Sequence, residues 1–303
     1  MSKKNEITNK IAETTQDKVV NVIIVVILVL ACLVSLFPLY YCLVASVSNP
    51  SLVATGKVIF WPKDFTLIGY KYVFENENLM RGYLNTFVYT VVGTLLNLAV
   101  TLPGAFALSR KTLPYRGLIF AFFMVPMYFS GGTAASYVWI HRLGLLNSFW
   151  IMVLPHGITT FNLIICRNYF ESNIPDSLFE SATLDGASVT RYFFSFVIPL
   201  SKPIISVMAM YFAIPKWNDY MTGLIYIQDI KKQTLQFIIK SITASVSDPD
   251  NTAIDPEELS EMDKRNGILK YATIIVAALP LYILYPVVQK YLISGVMVGS
   301  VKE

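Results

Sequence analysis

Long apolar runs, several without a single charge, alternate along this chain with short polar connectors. Six stretches reach the ~20 residues that a membrane-spanning helix needs: 19–47, 83–108, 118–140, 145–166, 204–227 and 271–291. In lipid the backbone has to satisfy its own hydrogen bonds, so each is predicted as a helix and the fold class is all-α. The fifth is the most interrupted, by Pro215, Lys216 and Asp219. Two polar segments separate the later runs, one around 171–203 and one around 229–270.

Composition sharpens this picture. Of the 303 residues, 54% are hydrophobic and 15% charged, against about a quarter charged in soluble domains. The pattern is that of a polytopic membrane protein with six transmembrane helices, in which 1–18 form a polar cytoplasmic tail and 19–303 one membrane domain. The first run is too long for the core of a signal peptide and is expected to remain as a span. The formal net charge of +4 fits contact with anionic lipid, and no basic run interleaved with aromatics points to nucleic acid. Cys32, Cys42 and Cys166 all lie in apolar runs, a distribution suited to helix packing and not to a disulfide framework or a metal site.

Short-loop lysines and arginines set the orientation. The connector 109–117 carries Arg110, Lys111 and Arg116 and no acid, so it is expected on the cytoplasmic side. Lys3, Lys4, Lys10 and Lys18 are then inside, as are the 171–203 segment and the C-terminus. The bias is modest, because the first outer loop holds Lys57, Lys63, Lys71 and Arg81.

Catalytic chemistry is poorly supplied. The chain has no GxxxxGK[ST], HExxH, GxSxG or CxxC, and only two histidines. Any uphill work has to draw on an ion gradient or on a partner. The segment ESATLDGASVTRYFFSFVIPLSKP, 180–203, is the most informative feature. Pro175 followed by Asp176 is a helix start. Ser177, Glu180, Ser181 and Leu184 recur at helical spacing, and Gly186 either ends this short helix or lets another surface approach its backbone. An aromatic turn, VTRYFFSFV, is expected along the membrane face, stopped by Pro199. A small-residue helix with an acidic head suits insertion into a cleft of another protein; an ordinary amphipathic connector is the alternative.

At these residues the chain resembles the EAA-type loop of bacterial ABC importer permeases. Glu180, Ala182 and Gly186 match that pattern at its spacing, Ser181 replaces the usual alanine, and Phe196, Ile198 and Pro199 close it with apolar variants. The stretches TLIGYKYVF, AFALSRKTLPYRG, KWNDYMTGLIYI and the C-terminal LPLYILYPVVQKYLISGVMVGSVKE extend the likeness over nearly the whole chain, and it is most similar to the MalG-like carbohydrate permeases of the oligo- and polysaccharide branch. The resemblance implies a type I importer permease fold in the bacterial plasma membrane with both termini inside. It implies a second homologous permease subunit, two ATP-binding subunits and an extracellular solute-binding lipoprotein as partners. ATP and Mg would sit on the partner ATPase, with no cofactor on this chain. Glu180, Ser181, Ala182, Asp185, Gly186 and Arg191 would form the coupling helix in the ATPase groove. Import of a non-sugar solute, a gradient-driven transporter and a membrane enzyme acting on lipid-linked sugar are the rival readings.

Other polar features inside the spans have two readings each. Trp217, Asn218, Asp219 and Tyr220, beside Lys216, either wall the sugar path or anchor the helix at the outer interface, and Lys216 and Asp219 are spaced to pair at i,i+3. The small-residue patch 130–136 serves close helix packing or a broken helix. His156 after Pro155 is a buried hydrogen-bonded group or a proton relay.

Overall fold

The computed structural model describes residues 14–155, 157–245, 267, 269–283, 285, 286 and 289. Most of the N-terminal tail, His156, much of the 229–270 segment and the end of the sixth run lie outside the described residues. Every described element is helical.

Helix α1 (Thr15–Ser46) starts at a reciprocal cap, in which Asp17 N–H donates to Thr14 Oγ1 at 3.3 Å and Thr14 N–H donates to Asp17 Oδ2 at 2.9 Å. At 1.5 Å per residue its 32 residues reach about 48 Å, ample for a ~30 Å hydrocarbon core. It is apolar all round yet buries only Val44, Ala45 and Ser46 against the rest of the chain. A helix of that kind needs an apolar solvent. Short helices α2 (Pro50–Ala54) and α3 (Ile68–Glu75) lead into α4 (Glu77–Ser109), the second helix long and apolar enough to cross a membrane unbroken.

The third run is not one straight helix. α5 (Arg116–Tyr128) and α6 (Gly132–Arg142) meet at 115°. Pro126 lacks an N–H, and Gly132 takes a left-handed φ of +77° that ends helical continuity. Among the described residues nothing lies within 4 Å of the Cβ position at Gly132, and the small-residue patch falls at the break between α5 and α6. The fourth run is split as well, into α7 (Phe149–Val153) and α8 (Thr160–Asn173), around Pro155 and Gly157. α9 (Asp176–Leu184) follows, then α10 (Val189–Tyr192), which passes through a wide π turn at Phe193–Val197 into α11 (Ile198–Leu200). The fifth run is α12 (Lys202–Trp217), set at 83° to the α10–α11 segment. It stops at Asn218, before the expected end, and restarts as α13 (Met221–Tyr226). α14 (Leu235–Ser245) and a last described helix, α15 (Leu269–Ile283), complete the set.

α4 is the axis of the molecule. It packs along α12, α8 and α14. The face it turns inward carries Thr86, Thr90, Thr94, Asn97 and Thr101, all buried, at steps of four, four, three and four residues. Leu84, Phe87, Val91 and Leu95 are exposed on its other side. The middle of α4 therefore keeps its polar groups inside and turns apolar side chains outward, as lipid demands. One apolar cluster ties the α9–α10 region to the axis through Phe106, Phe170, Ala182, Tyr192 and Met208; a second, around Leu79, Trp217, Leu235 and Leu269, closes the opposite half.

Candidate functional site

Gly93 on α4 is the position that lets a lysine enter the interior. A Cβ there would stand 2.6 Å from Cδ and Cε of Lys216, so the lysine side chain lies in the space a side chain would take. Its ammonium donates to Val153 O at 2.9 Å and to Pro155 O at 3.5 Å. Pro155 has no N–H, so α7 cannot continue and its last carbonyls need another donor; Lys216 supplies it. The i,i+3 pair expected with Asp219 is absent from the ion pairs of the described residues; Asp219 Oδ1 instead accepts the Thr222 N–H at 3.0 Å, and its backbone carbonyl accepts the Thr234 hydroxyl.

Between α4, α7, α8 and α12 lies a cavity of about 420 Å³, within the ordinary range of ligand sites. Asn97, Thr159, Asn162, Tyr211, Lys216 and Asp219 present its polar surface. The Thr159 hydroxyl is buried and has no hydrogen-bond partner among the described residues. The lining, with Thr222, thus combines amides, two hydroxyls, a phenol and one charge of each sign, the donors and acceptors that suit a polyhydroxylated solute.

Of the four path residues proposed from sequence, only Asp219 lines this cavity. Trp217 is 3% exposed, donates its indole N–H to Ala277 O at 3.0 Å and meets Tyr83 edge to face. Tyr220 stacks on Phe237, with Lys240 Nζ 4.0 Å from its ring centre. Asn218 is exposed and donates to Ile214 O. The residues that sequence reasoning passed over are Asn97 and Tyr211; the period of the polar positions on α4 was the available signal for the first.

The second region is α9 with its flanks. Pro175 precedes the helix, and Asp185 and Gly186 close it. Gly186 has φ of +77° with open space around it. Ala187 N–H donates to Ala182 O at 2.9 Å and Gly186 N–H to Thr183 O at 3.0 Å, the double bond pattern of a left-handed helix stop. Ser188 then caps α10 by accepting the Arg191 N–H. Glu180, Ser181, Asp185, Gly186 and Arg191 are all exposed, and Ala182 alone of the proposed coupling set is buried. Leu184 projects at 89% exposure. Underneath, Phe179 packs edge to face on Tyr192 at 5.1 Å, and Tyr192 reaches Phe106 of α4. Arg110, at the end of α4, lies over the Phe179 ring and pairs with Asp176 at 3.3 Å. A push on α9 is therefore a push on α4.

No family model matches the chain. Among curated proteins it is 35% identical over 275 residues to Protein LplC of Bacillus subtilis (strain 168), covering 89% of this chain and 90% of that one. It is 33% identical over 291 residues to the polygalacturonan/rhamnogalacturonan transport system permease protein YtcP of the same organism, covering 95% and 99%. Its structure superposes, with a TM-score of 0.83, 28% identity and 92% and 98% coverage, on a chain from the crystal structure of a bacterial ABC transporter involved in the import of the acidic polysaccharide alginate. The chain belongs to the family of ABC importer permease subunits, multi-pass proteins of the plasma membrane. Within it, this is a permease of the carbohydrate importers, which works with ATPase and solute-binding partners and leaves ATP hydrolysis to the ATPases.

Proposed function

We propose that this chain forms half of an oligosaccharide path. It would pair with a second homologous permease subunit above two ATP-binding subunits, and receive its sugar from an extracellular solute-binding lipoprotein. The observation that carries this reading is that one continuous helix, α4, joins both working parts. α4 lines the cavity through Asn97 and bears on α9 through Phe106 and Arg110. The exposed face of Ser177, Glu180, Ser181 and Leu184 would sit in a groove of the ATPase, with Asp185, Gly186 and Arg191 at its rim. Closure of the ATPases on ATP would carry α9 with them, and the differential contacts of the two states would shift the path toward opening outward. ATP and Mg belong to the partner; this chain binds no cofactor. Uptake of labelled oligosaccharide, measured beside co-purification of the ATPase, tests it: Glu180→Lys and Gly186→Asp abolish uptake while the chain still inserts. Unchanged uptake in both variants overturns the reading.

A second observation narrows the solute. Lys216 is a cation in the cavity wall with two of its three ammonium protons committed. The third suits a carboxylate, and of the similar proteins one is named for polygalacturonan/rhamnogalacturonan transport and another is described as importing the acidic polysaccharide alginate. We infer that a uronate-containing oligosaccharide is the cargo. Lys216→Met then lowers uptake of oligogalacturonides about tenfold or more, as expected for losing a charge-assisted hydrogen bond, and spares neutral oligosaccharides. Equal loss of both sugars rules the uronate out.

A further inference from the structure

Below the cavity, where the connector after α4 meets the end of α8 and the start of α9, a cleft of about 270 Å³ has Arg110, Lys111, Arg116, Arg167, Glu171 and Asp176 in its wall. Four cations face two carboxylates. Arg116 and Arg167 converge on the same Glu171, and Arg110 and Lys111 on the same Asp176. Each acid is thus shared, and two positive charges have no counter-ion within the cleft. The Arg110 Nε–H is buried with no acceptor among the described residues. The cleft adjoins a second hollow of about 290 Å³ formed by Arg116, Gly117, Phe120 and Arg167, where the Arg167 guanidinium stacks on Phe120 at 4.7 Å. Beyond Phe120 the outer face of α5 is bare and apolar, with Leu118 72% and Phe122 74% exposed.

We propose that this cleft is a binding site for the phosphate of an anionic phospholipid headgroup, with the acyl chains running along α5. Three features favour it. Guanidinium forks match phosphate oxygens and recruit a second anion where one carboxylate already serves two arginines. Basic pockets between spanning helices at the membrane surface recognise anionic headgroups, whose leaflet potential adds to the local attraction. A soluble anion would leave the apolar wall next to Phe120 uncovered, whereas a lipid covers it. The cleft also holds Asp176, the first residue of α9, so an occupied site would fix the base of that helix. The placement rests on reading this end as the cytoplasmic surface. Lipid retention is measured independently of transport, so failure of one does not mimic failure of the other.

The test is native mass spectrometry of the detergent-solubilised complex, assembled with its partner subunits, offered phosphatidylglycerol, phosphatidylcholine or millimolar inorganic phosphate. Retention of phosphatidylglycerol over phosphatidylcholine is expected, insensitive to inorganic phosphate. Lys111→Gln, an exposed change that does not disturb folding, lowers retention roughly fivefold, and Lys111→Gln with Arg167→Gln lowers it further by a similar factor. Equal retention of the two lipids, retention unaffected in both variants, displacement by inorganic phosphate, or retention only after the ATPase has been stripped away would each overturn the proposal. The last would mean that a protein surface fills the cleft.

Discussion

The Lys216 side chain lies across Gly93 and places its ammonium 2.9 Å from the Val153 carbonyl. Three segments meet in that one contact: α4 gives the space, α12 the charge and the interrupted fourth run the acceptor. A part-buried ammonium is costly unless it finds acceptors, so the glycine that makes room and the proline break that frees the carbonyls are both conditions for the lysine's presence. Gly93→Ala is expected to displace the lysine from Val153, with a loss of about 1.5–3 kcal/mol and a lower melting temperature of the purified complex. Gly93→Ala in a Lys216→Met background is expected to cost much less than in the native chain. Additive effects of the two changes would show that they do not meet.

Gly82 and Gly104 on the same helix give an internal comparison. A Cβ at Gly82 would stand 2.6 Å from Ile238 Cδ1 and 3.3 Å from the Leu235 backbone, whereas at Gly104 its nearest neighbour, Leu163 Cδ1, is at 3.6 Å. Backbone cannot step aside as a methyl group can. Gly82→Ala is therefore expected to destabilise by about 1–3 kcal/mol. Gly104→Ala should be neutral or stabilising by up to about 1 kcal/mol. Thermal unfolding of the two variants side by side decides the order.

Gly186 is constrained by φ and not by space, since no described residue lies within 4 Å of its Cβ position. Substitutions should rank by tolerance of the left-handed region: Asn mild, Ala costing about 1 kcal/mol, Val more. Because the helix stop orients Asp185 and the exposed face of α9, the uptake rate is expected to fall in the same order. A Val variant as active as an Asn variant would show that the turn geometry is immaterial.

Trp217 separates a path role from a packing role. It is buried against Tyr83 and bonded to Ala277 O, away from the cavity. Trp217→Ala is expected to destabilise by about 3–5 kcal/mol. Trp217→Phe, which keeps most of the volume and loses one hydrogen bond, is expected to retain the apparent affinity for sugar. A large rise in that apparent affinity constant for Trp217→Phe, at normal expression, would place the indole in contact with solute.

Much of the architecture was legible along the chain. The two unbroken spanning helices, α1 and α4, fall almost where charge-free runs put them, because lipid penalises unpaired backbone and charge strongly enough for composition alone to mark a span. The start of α9 at Asp176 and its stop at Gly186 were written in proline and glycine, whose backbone limits are local. What only the tertiary structure decided is which side of each helix meets what. A run of hydropathy averages over all faces, so it joined α5 to α6 and α7 to α8 across breaks, and it grouped Trp217 with Asp219, although α12 ends at Trp217 and the chain has left the helix before Asp219. The cavity, the crossing of Lys216 over Gly93 and the Arg116–Glu171 pair are relations between residues far apart in sequence. No local propensity encodes such relations, because they exist only once the helices have packed.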